Sequence, residues 1–333
     1  MVSVLFMISR SSSPLEDPAG LLCAFRLSPP KELTGSAEQL LREPGTLWLH
    51  FTLADQRARQ FLLHRAGIAE DAREVLLELG ARVHSHVFED SFVAVLGDLH
   101  HDFDSDPEGF GVFRVYMDER RLITCREHRM MSLDRLRMRL LGGTELETPI
   151  ELFELLVHEL VEGFAGVSAK LSDTVDDAED EILAGRYSDQ RVELGRVRRL
   201  LARLRRHVTA NRSALISLSR RLGWLDSEQR QELRQVVERL EGVGQDLELV
   251  TERARLLQEE IAGRLGEATN RNLYLLSILT TTLLPITLIT GIFGMNVAGM
   301  PFTQSDHGFW SVMLIMAVTV IGTLMYLRRT GVL

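Results

Sequence analysis

Apolar residues follow three rhythms along this chain of 333 residues. Up to about residue 145 they come in short runs: 21–25, 46–51, 83–88, 92–96, 113–118 and 121–125. Runs of five or six residues, rich in aromatic and β-branched side chains, predict strands. Between them, 55–65 and 71–79 space their apolar residues three and four apart, which predicts two short helices. "MDER", 117–120, reads as the turn of a hairpin, and "HHDFDSDPEG", 100–109, as a polar loop. An α/β unit over 1–145 is the expectation. Its start, "MVSVLFMISR", is apolar but short, with no basic stretch and no small-residue cleavage site. It reads as an early strand or a poorly ordered start rather than a signal peptide.

From Pro149 the rhythm becomes helical. "PIELFELLVHELVEGF" opens on a proline, as helices often do. A turn around "AGRYSD" leads into a second helix from Gln190 to about Leu222, so 146–225 reads as a helical hairpin. "GWLDSEQ", 223–229, ends it and offers Asp226 or Ser227 as the next N-cap. In the following helix Leu233, Val236, Leu240, Val243, Leu247, Val250, Ala254, Leu257 and Ile261 alternate steps of three and four, a heptad stripe. No proline interrupts it before Pro285. One helix is therefore predicted from Ser227 into the apolar segment beyond, about 100 Å long at 1.5 Å per residue. The stripe needs an apolar partner. A second copy of the chain is the economical source; the preceding hairpin is the other.

The third rhythm is continuous. Residues 273–293 carry no charge, and neither do 309–327. About 20 such residues suffice to cross a hydrocarbon core. This divides the remainder into a stalk and first span (226–296), an external loop (297–308), and a second span with a basic tail (309–333). Arg264 and Arg271 precede the first span, and Arg328 and Arg329 follow the second. The loop between has only Asp306 and His307. By the positive-inside rule both termini are cytoplasmic. Two distant cysteines, Cys23 and Cys125, exclude a disulfide framework and a thiolate zinc site, and they fit a reducing compartment. A net charge of −9 argues against a nucleic-acid partner.

Two spans from one chain cannot enclose a water-filled path, but several copies around an axis can. At three-four spacing the first span carries Asn270, Leu273, Ser277, Thr280, Leu284, Thr287, Gly291 and Gly294, a small and polar stripe. Beside it Leu275, Leu279, Ile286, Ile289 and Phe293 are wholly apolar. That asymmetry fits a helix with the polar stripe inward and lipid on the other side. It also fits hydroxyls bonded back to their own helix, where Thr281 or Thr282 could compensate for the bond that Pro285 removes. A ring of Asn296 side chains would present neutral oxygens to a hydrated cation, and Gly291 and Gly294 would expose backbone carbonyls. Magnesium, which sheds water reluctantly, suits such a ring. Zinc prefers His or Cys, which the span lacks, so it would pass hydrated or through transient contacts.

At "LLPITLITGIFGMN", ending in Gly294-Met295-Asn296 before a second span, the chain resembles the CorA superfamily of divalent-cation transporters. The resemblance covers the whole chain and implies an α+β architecture. An N-terminal cytoplasmic α/β domain would be followed by a helical hairpin and a very long stalk helix. The stalk would continue into the first of two C-terminal transmembrane helices, as in the family's funnel. It further implies a homopentamer in the inner membrane, lipid-embedded, with the first span lining the pore. Asn296, with Gly294 and Met295, would sit at the outer mouth, and Thr287, Thr280 and Asn270 deeper. "FRVYMDERRLITCREHRMMSLDRL" and "LGWLDSEQRQELRQVVERLEGVGQDLE" are most similar to the ZntB-type zinc transporters. Zinc is thus the expected cargo, with cadmium, nickel or cobalt as further ones. Met295 departs toward the magnesium-type triplet, which keeps a magnesium channel as the alternative. In proton-coupled transport His307, beside Asp306 in the loop, would be the nearby titratable group. No bound cofactor and no enzyme activity are expected; a membrane-anchored scaffold is the reading from another class.

Other candidate groups read as ordinary surface. "HELVE", 158–162, lacks the second histidine of a zinc-protease helix. His84 and His86 share one strand face and could take a metal. His100, His101, Asp102, Asp104 and Asp106 make a metal-coloured loop, and the acidic run 173–181 could gather cations. There is no P-loop, GxGxxG or nucleophile motif, so ATP-driven transport has no support.

Overall fold

The computed structural model describes residues 20–80, 82–103, 109–295, 301 and 307–329. Two compact units divide it, Met1–Leu257 and Gln258–Leu333. In the first, seven strands form one mixed sheet: β1 (Leu21–Arg26), β2 (Lys31–Glu32), β3 (Leu47–Thr52), β4 (His84–Val87), β5 (Phe92–Leu99), β6 (Phe110–Met117) and β7 (Arg121–Arg126). Their order is β2-β1-β3-β7-β6-β5-β4. Only the β3–β7 pair is parallel; the others are antiparallel. All six apolar runs became strands, and "MDER" is the β6–β7 hairpin turn. The pattern missed β2, whose two residues are too short for any period.

Helices cover both faces. α1 (Ala37–Leu40), α2 (Gln56–His64) and α3 (Glu70–Leu77) lie in the stretch between β2 and β4. Phe61, Leu62 and Leu76 from them pack with Leu49, Phe51, Val93, Tyr116, Ile123 and Cys125 of the sheet. α4 (Met131–Leu141) and α5 (Pro149–Leu183) take the other face, where Phe92 meets Phe153 edge-on at 5.0 Å. Every residue of β5 is buried in consequence. Side-chain caps start α1, α2 and α5, whereas α3, α4 and α6 begin without one. Asp55 accepts from Arg57 N at 2.8 Å, and Thr148 from Glu151 N at 3.4 Å just before Pro149.

α6 (Ser188–Arg221) follows the turn, and α7 runs unbroken from Ser227 to Phe293, 67 residues. Asp226 is its cap, in a reciprocal pair: Gln229 N donates to Asp226 Oδ1 (2.8 Å) and Asp226 N to Gln229 Oε1 (3.2 Å). The heptad stripe differs from the sequence reading twice. Val237, 8% exposed, takes the place of half-buried Val236, because a 3.6-residue turn brings i+4 rather than i+3 into line after Leu233. The stripe through Leu257 is also buried within one chain. Ion pairs flank it on both sides: Arg205–Glu248 (2.5 Å) and Arg212–Glu241 (3.1 Å) to α6, Arg239–Glu162 and Arg253–Glu179 (2.9 Å) to α5. The preceding hairpin is its partner, so the stripe carries no argument for a second copy. Arg239 also contacts His158 Nδ1 (3.1 Å), which makes "HELVE" a helix–helix contact.

The second unit holds the end of α7 and α8 (Gly308–Arg329).

Candidate transport segment

Among the described residues two helices are long and apolar enough to cross a membrane: the C-terminal part of α7, and α8. The chain itself buries almost nothing of either apolar stretch. Such exposed apolar surface needs lipid or other helices around it. Phe309 and Trp310, each 71% exposed, stand at the start of α8, and Arg328 and Arg329 at its end. That is the arrangement of an aromatic interface anchor and a basic flank.

Thr280, Thr287 and Gly291 fall within an arc of about 40° on α7, at 100° per residue, and Gly294 follows just past its end. Asn270 lies about 100° round from Thr287, so the stripe winds about the helix instead of following one straight face. Asn270, Thr280 and Thr287 are exposed in the chain. Each threonine hydroxyl donates to a carbonyl one turn back: Thr280 to Leu276 (2.8 Å), Thr287 to Leu283 (2.9 Å), Thr290 to Ile286 (3.0 Å). With the proton committed, the oxygen keeps lone pairs that only accept. Thr282 donates to Ile278 O (2.9 Å), not to the Thr281 carbonyl that Pro285 leaves without its usual donor.

α7 ends by tightening. Gly294 N donates to Thr290 O (2.8 Å) and Met295 N to Ile292 O (3.3 Å). A Cβ at Gly294 would stand 3.0 Å from the Thr290 carbonyl oxygen, closer than side chains normally come. Met295 is 53% exposed. Asn296 and Asp306 lie outside the described residues, as do Asp104 and Asp106. His307 is described at the start of α8, where its carbonyl accepts from Ser311 N (3.1 Å) and Ser311 Oγ (3.1 Å). Among the described residues no three His, Cys, Asp or Glu side chains gather as a metal-ligand set.

The acidic run on α5 is partly neutralised: Arg253 pairs with Asp176 and Glu179, and Arg186 with Glu181. What the sequence did not flag is Glu154, an acid 8% exposed on the inner face of α5. Burial, the hydrogen bond with Glu232, and the charges of Glu232, Glu151 and Asp226 push its carboxyl up to about 9. Its place between Phe153 and Leu156, on the apolar face of a helix, was the available signal.

Residues 43–329 match the family model described as "CorA-like Mg2+ transporter protein". The chain is 31% identical over 273 residues to the divalent cation transporter CmaX of Pseudomonas aeruginosa, covering 81% of this chain and 82% of that one. It is 27% identical over 288 residues to the zinc transport protein ZntB of Yersinia enterocolitica, covering 85% and 86%. Among solved structures it is similar to full-length CmaX, with a TM-score of 0.81 and 28% identity over 94% of this chain and 98% of that one. The fold is shared with the CorA magnesium transporter of Methanocaldococcus jannaschii, at a TM-score of 0.78 and 18% identity over 93% and 98%.

Proposed function

We propose zinc as the cargo of this chain, which belongs to the CorA-like Mg2+ transporter family and is thus a divalent-cation transporter, not an enzyme. In this reading several copies, five by the family resemblance, surround an axis in the inner membrane with both termini cytoplasmic. The first span lines the path: Asn270, Thr280 and Thr287 along it, and Gly294, Met295 and Asn296 at the outer mouth. Asp306 and His307 belong to the external loop.

One observation carries the mechanism. The threonine hydroxyls have given their protons to the helix, so the stripe offers oxygen lone pairs and no charge. The water shell of a divalent cation points its hydrogens outward and donates to such oxygens. The ion then moves with its shell, and the protein need not repay the cost of dehydration. Asn296 adds an amide oxygen of the same kind where the helix ends. Zinc is supported by the relatives named as zinc transport proteins. Magnesium is the second reading, favoured by the Gly294-Met295-Asn296 triplet. Asn296→Ala tests the path: flux is expected to vanish while assembly persists. Unchanged flux would remove Asn296 from the path, and loss of assembly would make it structural.

A further inference from the structure

The edge strand β4 carries two imidazoles on one face. The ring centroids of His84 and His86 lie 5.3 Å apart, the planes at 81°. Directly across the antiparallel pair stand Val95 and Val93, which offer no hydrogen-bonding group. His84 Nδ1 lies 2.6 Å from the Arg82 carbonyl oxygen. A carbonyl only accepts, so Nδ1 holds the proton and Nε2 keeps its lone pair. This is the backbone bond that fixes a metal-binding histidine's tautomer. His86 is exposed, and Phe88 stacks beside it at 6.5 Å.

The spacing suits a shared ion. A Zn–N bond of about 2.0–2.1 Å, plus about 1.1 Å from nitrogen to ring centre, puts each centroid about 3.2 Å from the metal. At a tetrahedral angle two such centroids lie about 5.2 Å apart. We propose that His84 and His86 form a surface site for a borderline-soft divalent cation, zinc foremost, with water completing the coordination. Imidazole suits zinc, nickel and copper, while magnesium prefers oxygen. With two protein ligands the site exchanges its ion readily and has no structural role. The site lies on the sheet, not on the spans, and its preference for zinc is the same whether the spans carry zinc or magnesium.

A second imidazole pair, His100 and His128 at 5.2 Å, does not share these features. His100 packs against Gly109 and Gly111, where an added Cβ would stand 2.8 Å from Nδ1 and 3.0 Å from Nε2. His100 Nε2 is buried beside Gly111, away from an ion arriving from solvent.

The test is a zinc titration of the full chain in detergent micelles against a chromophoric chelator. His84→Gln, His86→Gln and the double variant His100→Gln/His128→Gln are compared with wild type. Either single variant is expected to weaken one zinc site by about tenfold or more. The double variant should bind like wild type, and millimolar magnesium should not displace the zinc. Equal binding by wild type and both single variants overturns the site, as does displacement by magnesium. So does loss confined to the His100/His128 variant. Zinc flux in the same variants is expected to persist, which separates this site from the transport path.

Discussion

Glu154 gives the strongest test of the packing between α5 and α7. Its carboxyl is 8% exposed, shares a hydrogen bond with Glu232, and leaves Oε1 without a partner. Burial first, and the acidic neighbours next, raise it from an ordinary 4.5 to about 9. At pH 7 the folded chain therefore holds a proton that the unfolded chain releases. The folded state binds more protons between about pH 4.5 and 9, so stability falls as pH rises through that window and is level outside it. Each pH unit is worth at most about 1.4 kcal/mol, so the ceiling from pH 5 to 8 is about 4 kcal/mol. Solvent screening and the shared proton reduce this to about 1–2 kcal/mol. Glu154→Gln keeps the shape and a donor toward Glu232 but cannot titrate. The variant is expected to match wild type at pH 5 and to exceed it by about 1–2 kcal/mol at pH 8. Denaturant unfolding of the full chain in micelles at pH 5, 6.5 and 8 measures both profiles. Parallel profiles, or a variant weaker than wild type at pH 8, would refute the protonated pair.

Asn211 donates to Gly97 O and accepts from Gly97 N, both at 2.8 Å, where β4 no longer pairs with β5. Asn211→Ala strands two buried backbone groups and should cost about 2–4 kcal/mol in the same unfolding assay. Asp98 Oδ2 accepts from Ser132 N (3.0 Å) and Ser132 Oγ (2.6 Å), tying α4 to β5. Asp98→Ala should cost about 2–4 kcal/mol, read by the same transition. Burial pushes the Cys23 and Cys125 thiols up to about 12, so a thiol reagent at pH 8 should modify neither in the native chain and both after denaturation. Gly294→Ala presses a methyl on the Thr290 carbonyl and should lower flux several-fold in proteoliposomes while leaving the first unit's unfolding unchanged.

Strands, helix caps and spans were legible because each leaves a local mark. Alternating or continuous apolar runs marked the sheet, "GWLDSEQ" with Asp226 or Ser227 as cap marked the start of α7, and uncharged stretches marked the spans. The partner of the α7 stripe was not legible: a heptad shows that a helix face is apolar, not which helix covers it. Leu240 and Leu247 are covered by the hairpin of their own chain. Asn211 was invisible because its partner lies 114 positions away. For Thr280 and Thr287 the sequence left water-facing and self-bonded hydroxyls as rivals. The two are compatible, since a hydroxyl that donates to its own helix still accepts from water.

The most direct measurement is uptake of zinc and of magnesium into proteoliposomes holding the purified chain, with and without an inward proton gradient. The account predicts zinc uptake that Asn296→Ala abolishes. Magnesium flux without zinc flux would contradict the cargo. The absence of both, from protein shown to be folded and assembled, would contradict the path itself.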